Sequence, residues 1–277
     1  MGESQNCAAF DTGPGPAIIL LGLGFTTTHL ARRLLCRRLT VIGVARDIAR
    51  YAQLASLGLQ LRTYCPGIAA SLPKSSILIH TIPPLSGREE EDLRAFILAA
   101  RPKRLVYISS TSVYGEQAFV NERSEPSPSE EKGRRRMEEE AWLSGHSWST
   151  FVVRPAAIYG PGRGAHVRIR EGKPPRTAGS SMVSRIHVDD LAAILEAGLL
   201  SGLDGAWPCA DDEPCSTDVI TQWCAALLKM KIQPSSERLP VTGRTVDGSR
   251  LRRLLGVKLQ FPGYQAGILA SIHSEIR

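Results

Sequence analysis

The apolar run at residues 17–22 (AIILLG) ends in Gly22-Leu23-Gly24, and residues 28–38 then place Leu30, Ala31, Leu34 and Leu35 at helical spacing. A buried strand, a two-glycine turn and a helix, in that order, constrain the fold more than any other feature of the chain. Two glycines permit a tight turn and a close backbone approach to an anion. The helix that follows offers its unpaired N–H groups and the positive end of its dipole. Gly22, Leu23, Gly24, Phe25 and Thr26 are therefore candidate phosphate-binding residues. The motif reads GxGxxT. Thr27 stands where a third glycine would allow close helix–strand packing, so its side chain is expected to shift the helix slightly or weaken binding. A plain tight turn is the alternative.

The alternation continues. Residues 40–45 (TVIGVA) read as a strand, 48–57 as a helix stopped by Gly58, and 59–64 as a strand. Residues 77–82 (ILIHTI) form a strand halted by Pro83-Pro84, and 89–100 a helix. A strand at 105–109 (LVYIS), a charged helix at 130–143 and a strand at 151–153 follow. Strands that are apolar throughout and alternate with helices imply a parallel sheet covered on both faces. Right-handed crossovers make it an α/β, doubly wound sheet. After residue 155 the pattern loosens: 160–164 and 172–181 are loop-like, Asp189 or Asp190 is placed to cap a helix at 191–200, and a strand near 206–209 and a helix near 217–228 follow. The expected division is a flexible tail at 1–16, a dinucleotide-binding domain at 17–155 and a small substrate lobe at 156–277, partly interleaved with it.

The chain has 277 residues, 43% hydrophobic and 22% charged, which fits a folded globule. The net charge of +7 invites a nucleic-acid reading. Its arrangement opposes one: Arg134, Arg135 and Arg136 precede Glu138, Glu139 and Glu140, and a run of mixed sign reads as a solvated helix face. The six cysteines form no CxxC pair and show no zinc spacing, so free thiols and no metal site are expected. No apolar run is long enough to span a bilayer, and residues 1–16 lack the basic start and apolar core of a signal peptide. The expectation is a cytoplasmic protein without nucleic-acid or membrane partners.

The second strand ends in Val44-Ala45-Arg46. An NAD-selective loop usually places an acid here to hold the ribose 2′-hydroxyl. Arg46 instead offers a cation to a 2′-phosphate, which favours NADP(H) as cofactor. NAD stays open if Arg46 is solvated and Asp47 takes the ribose.

Four further segments occur in order: Thr81-Ile82-Pro83-Pro84, SSTSVYG at 109–115, VRPAAIYGPG at 153–162 and RIHVDDLA at 185–192. With the glycine loop, they closely resemble the NAD-dependent epimerase/dehydratase family, the extended short-chain dehydrogenases, over about residues 17–270. The resemblance implies a Rossmann fold, a small-molecule substrate and a homodimer as a candidate assembly. It implies that Thr81 and Pro83 line the ribose and diphosphate of the cofactor, and that Ser109 and Pro155 approach its nicotinamide end. It also implies that Ser110 is the catalytic Ser/Thr that bonds the reacting oxygen, and that Tyr114 and Tyr159 are structural. Arg163, Arg168, Arg170 and Lys173 fall where sugar-nucleotide members bind substrate, and their charges suit an anion; a solvated loop explains them equally.

One departure stands out. The family's Tyr-x-x-x-Lys pair is missing: Lys132 stands at the tyrosine position and Arg136 at the lysine position, and no tyrosine in the chain has a lysine four residues on. The chain resembles the atypical branch, with a GR-x-R-x-x-x-E-like stretch in that place. Three readings stay open. Lys132, its pKa lowered by Arg136 and partial burial, serves as the acid or stabilises an oxyanion beside Ser110 in a reductase, epimerase or dehydratase. Alternatively the protein senses NADP(H) without turnover, or it is a scaffold whose pocket holds another ligand. Lys132 and Arg136 could also be plain surface charges. His187 reads as a hydrogen-bonded structural residue, with substrate contact as the alternative.

Overall fold

The computed structural model describes residues 15–65, 67–173, 179–232 and 243–276. Residues 1–14 of the expected tail, with Cys7, and residues 174–178 of the 172–181 loop lie outside the described residues. The chain divides into two compact units, residues 1–105 and 106–277.

In the first unit, parallel strands β1 (Ile18–Leu21), β2 (Val41–Ala45), β3 (Gln60–Thr63) and β4 (Ile77–His80) alternate with helices α1 (Phe25–Cys36), α2 (Ala52–Ser56) and α3 (Arg88–Ala100). β1 has no exposed residue and pairs Ile19 with Ile42 on one side and with Leu78 on the other. The chain runs outward from β1 through β2 to β3, then returns to place β4 on the other side of β1. That reversal is a topological switch point, and the carboxyl ends of β1 and β4 flank it. The helix expected over 48–57 breaks into a 3₁₀ turn (Ala49–Tyr51) and the five-residue α2, because only Leu54 of the segment is buried and one anchor cannot carry a long helix.

Residues 104–277 supply β5 (Arg104–Ile108), in which the division falls, and β6 (Phe119–Val120), α4 (Glu131–Ser144), β7 (Ser149–Pro155) and β8 (Ala157–Tyr159). α5 (Ala165–Arg170), β9 (Met182–Val183), β10 (Arg185–His187), α6 (Val188–Leu200), β11 (Gly205–Cys209) and β12 (Cys215–Ser216) follow, then α7 (Thr217–Leu228), β13 (Thr245–Val246), α8 (Ser249–Leu255) and α9 (Tyr264–Ile276). The main sheet has seven strands in the order β11-β7-β5-β4-β1-β2-β3, flanked by helices, a doubly wound α/β architecture. β11, from late in the chain, lies parallel to β7, so the C-terminal third interleaves with the main sheet. Around Tyr159, Ile169, Ile220, Cys224, Tyr264 and Ile268, helices α5, α7 and α9 build a separate apolar cluster.

The capping expected of Asp189 or Asp190 is corrected. His187 is the N-cap of α6, its Nδ1 accepting the Asp189 N–H at 3.2 Å. An acceptor Nδ1 makes Nε2 the donor, and Nε2 meets Ser271 Oγ at 3.2 Å, which in turn donates to the Gly267 carbonyl at 2.7 Å. The Asp190 carboxylate is buried and accepts the Gln260 and Phe261 N–H groups at 2.7 and 3.0 Å, tying α6 to the segment before α9. Among the described residues, the five cysteines are free, no cluster of His, Cys, Asp and Glu could hold a metal, and no helix is long and apolar enough to cross a membrane.

Candidate functional site

In the first unit, Gly22 takes φ +90° at the end of β1. A Cβ there would lie 2.9 Å from Ile82 Cγ1 and 3.1 Å from Thr81 Oγ1. Only glycine takes that turn without strain. Gly24 is different: its φ of −128° suits any residue, and a Cβ would meet no described atom within 4 Å. The protein itself does not need a glycine there. The space in front of it is open to a ligand that must come close to the backbone.

Thr27 lies in the first turn of α1, which begins at Phe25. Its hydroxyl accepts the Gly24 N–H at 2.7 Å and donates to the Gly22 carbonyl at 3.0 Å. The threonine thus staples the turn and consumes one donor. The next N–H groups, of Phe25 and Thr26, lie in the first helical turn and have no intrahelical acceptor. No acidic side chain lies in that turn, so its dipole is unopposed. Thr81, at the end of β4, donates to the Gly22 carbonyl at 3.2 Å. Tyr51 holds the loop from the other direction, through its hydroxyl on the Leu23 carbonyl. That tie was not evident from the sequence, because the two residues are 28 apart.

Arg46 projects into solvent at the end of β2, 84% exposed, with Glu89 Oε1 at 3.7 Å. An exposed pair of that length is worth little and is readily exchanged. Asp47, the alternative ribose holder, accepts the Ala49 N–H at 3.2 Å. Pro83 is exposed on the segment after β4.

In the second unit, Ser109 and Ser110 follow β5. Ser110 is extended and its Oγ accepts the Ser112 N–H at 3.1 Å, capping a 3₁₀ turn at Thr111–Tyr114. The hydroxyl proton of Ser110 is not used in that bond. Arg244 clamps the same turn through the carbonyls of Thr111 (2.7 Å), Gln117 (3.3 Å) and Gly115. Gly133 brings α4 against it, since a Cβ would overlap the Ser112 carbonyl oxygen.

Lys132, Arg136 and Glu140 follow at i, i+4 and i+8 on α4, one face of the helix. Arg136 donates to the Tyr107 hydroxyl at 2.8 Å and to the Ile108 carbonyl at 3.0 Å, and so fixes the end of β5. Glu140 is buried. It accepts the Ser109 hydroxyl and is forked by Arg154 of β7, with Nε at 3.1 and 3.2 Å and Nη2 at 2.6 Å. Arg154 also donates to the Tyr114 hydroxyl at 3.1 Å. Pro155 closes β7 and is buried. The charged helix is therefore not a wholly solvated face: Glu139 and Glu140 are buried and Arg136 is half-buried. Lys132 is exposed, so the partial burial expected of it is absent. Burial pushes the Tyr107 hydroxyl up to about 12 against the opposing pull of Arg136, and raises those of Tyr114 and Tyr159 as well. None of the three is tuned to ionise near neutrality.

A cavity of about 620 Å³ lies within the second unit beside α5 and α7. Arg163, Arg168, Lys173, Arg185 and Lys231 line it, with Glu171 the one carboxylate of its described lining. Arg170, expected to join the anion-binding group, does not line it. It pairs instead with Glu275 of α9, which also accepts the Gly162 N–H at 2.6 Å and contacts His166 at 3.3 Å. Arg185 was missed from sequence because it sits inside a strand motif, where basic residues usually point to solvent.

The fold and the glycine loop define a class: the chain is a Rossmann-like, doubly wound α/β protein. No family model matches it. In sequence it is similar to Protein YeeZ of Escherichia coli K12, 28% identical over 266 residues, covering 88% of this chain and 96% of that protein. Its structure is similar to that of a functionally unknown conserved protein from Silicibacter pomeroyi (TM-score 0.80, 26% identity, 94% of this chain and 99% of that one). The fold is also that of the UDP-glucuronic acid 4-epimerase of Bacillus cereus, solved with UDP-glucuronic acid and NAD (TM-score 0.75, 19% identity, 94% and 98% covered). The UDP-N-acetylglucosamine 4-epimerase of Methanobrevibacter ruminantium, solved with UDP-N-acetylmuramic acid, shares it too (TM-score 0.78, 14% identity, 94% and 98% covered).

Proposed function

We propose that the protein binds NADP(H) at the glycine loop and acts as a reductase, epimerase or dehydratase on a small polar or nucleotide-linked substrate. The observation that carries this reading is Gly24. Neither its backbone angles nor any described neighbour calls for a glycine there, while a diphosphate against the first turn of α1 would. The loop lies at a topological switch point, where ligands of open α/β sheets bind. Structures of the same fold hold NAD and nucleotide sugars. Arg46 would face a ribose 2′-phosphate, its pairing with Glu89 being long and exposed.

When bound, the dinucleotide supplies or takes up a hydride. Ser110 would donate its free hydroxyl proton in a hydrogen bond to the reacting oxygen. Lys132 would place a positive charge toward that oxygen as negative charge develops. Arg136 would act through β5, by holding the strand end that carries the two serines. The cationic cavity would hold the substrate's anionic group.

The test is a panel of small carbonyl compounds with the full chain and NADPH, and of nucleotide sugars with the full chain and NADP+, followed by the change in reduced-nicotinamide absorbance and by product analysis. Turnover of any member supports the enzyme reading. Tight NADPH binding with no turnover across the panel would favour a sensor.

A further inference from the structure

Five cations face the cavity of the second unit. Arg185 is fixed by bonds to the Val183 carbonyl (2.8 Å) and to Cys215 Sγ (3.2 Å), so it presents a positioned charge that is only 8% exposed. The lining carboxylate, Glu171, already contacts Lys173 at 2.7 Å and leaves the balance positive. Between the cations the described wall is aliphatic: Ile158, Ile169, Val183, Ile220 and Ile268. Its one aromatic residue is Tyr159, and that ring is not open for stacking. Tyr159 is 4% exposed, meets His187 edge-on at 5.2 Å, and has its hydroxyl packed over Gly267.

A nucleobase is ordinarily held by stacking on an aromatic or guanidinium face together with hydrogen bonds to its edge. The described wall offers a base no open aromatic face, only the guanidiniums of Arg163, Arg168 and Arg185, whose charge draws an anion, whereas its aliphatic stretch suits an alkyl chain in proportion to the area removed from water. We infer that the cavity binds a phosphorylated or carboxylated compound with a compact aliphatic body, its charge held by Arg168, Arg185 and their neighbours and its body against the isoleucines. This rests on the reading of the cavity as the substrate site, and within that reading it selects the small anion over the nucleotide-linked one.

The test uses calorimetric titration of the full chain with inorganic phosphate, butyl phosphate, hexyl phosphate, hexanol and uridine 5′-diphosphate. Affinity is expected to rise from phosphate to hexyl phosphate by roughly three- to fourfold per buried methylene, until the cavity is filled. Hexyl phosphate should bind at least tenfold more tightly than phosphate, hexanol or uridine diphosphate. Arg168→Ala should weaken hexyl phosphate about tenfold. Uridine diphosphate binding more tightly than hexyl phosphate would overturn the inference and leave the cavity as a site for a nucleotide-linked substrate. A flat alkyl series would overturn the aliphatic wall as a recognition element. Binding of none of the five would remove both the inference and the cavity's role as substrate site, while NADPH binding at the glycine loop would be judged separately.

Discussion

Glu140 of α4 and Arg154 of β7 form a buried, forked ion pair, and Glu140 also accepts the hydroxyl proton of Ser109. Removing one partner leaves the other charge desolvated and uncompensated. Glu140→Ala or Arg154→Met is therefore expected to destabilise the protein by about 3–5 kcal/mol. Replacing both together by apolar residues of similar volume should cost less than the sum of the single changes, because no orphan charge remains. Urea denaturation of the two single variants and the double variant measures this. Additive losses would show that the pair is not coupled.

The two loop glycines should separate stability from binding. Gly22→Ala forces a side chain into a positive-φ turn against Ile82 and should cost about 1–3 kcal/mol of stability. Gly24→Ala should leave thermal unfolding nearly unchanged and weaken dinucleotide binding tenfold or more. Equal binding by wild type and Gly24→Ala would mean that no ligand approaches that backbone.

Most of the main sheet was legible in the sequence. Its inner strands β1 and β2 are apolar from end to end, so alternation with helices is the dominant signal, and the helix expected near 217–228 is α7. Less of the site was legible. The buried Glu140 lies in a run of charges that composition marks as solvated, and only the i, i+4 spacing of Arg136 and Glu140 hinted at an inward face. Asp190 looked like a helix cap because local sequence does not reveal its partners, Gln260 and Phe261, which are 70 and 71 residues away. α9 went unread because Gly267 interrupts its pattern. The glycine is required by contact, since a Cβ there would strike the Tyr159 hydroxyl. The two-residue strands β6, β9, β12 and β13 carry no periodicity to read.

Lys132 and Arg136 should fail in different ways. Lys132→Ala removes an exposed charge, so it should abolish turnover and leave NADPH affinity and stability intact. Arg136→Ala releases the Tyr107 hydroxyl and the Ile108 carbonyl and should lower stability by about 1–3 kcal/mol as well as activity. Steady-state kinetics beside thermal unfolding resolve the two. Unchanged turnover in Lys132→Ala would take it out of the chemistry.

Asp211 gives a pH dependence. It is 2% exposed, and burial raises its carboxyl from 3.8 to about 7. The folded state thus holds this proton more tightly than the unfolded chain does. Its contribution to stability is fully present below pH 3.8 and is lost as pH rises through about 7. Asp211→Asn should therefore gain stability over wild type above pH 7, and the gain should shrink as the pH falls. Unfolding free energies measured across that range check the sign. A gap that widens on acidification would refute it.

In the proposed function the glycine loop and Arg46 together bind NADP(H). Paired calorimetric titrations of the unaltered full chain with NADPH and with NADH test it most directly. Micromolar or tighter binding of NADPH, with NADH clearly weaker, is the predicted result. Binding of neither would contradict the claim and leave a protein whose Thr27 staple has closed the loop to dinucleotides.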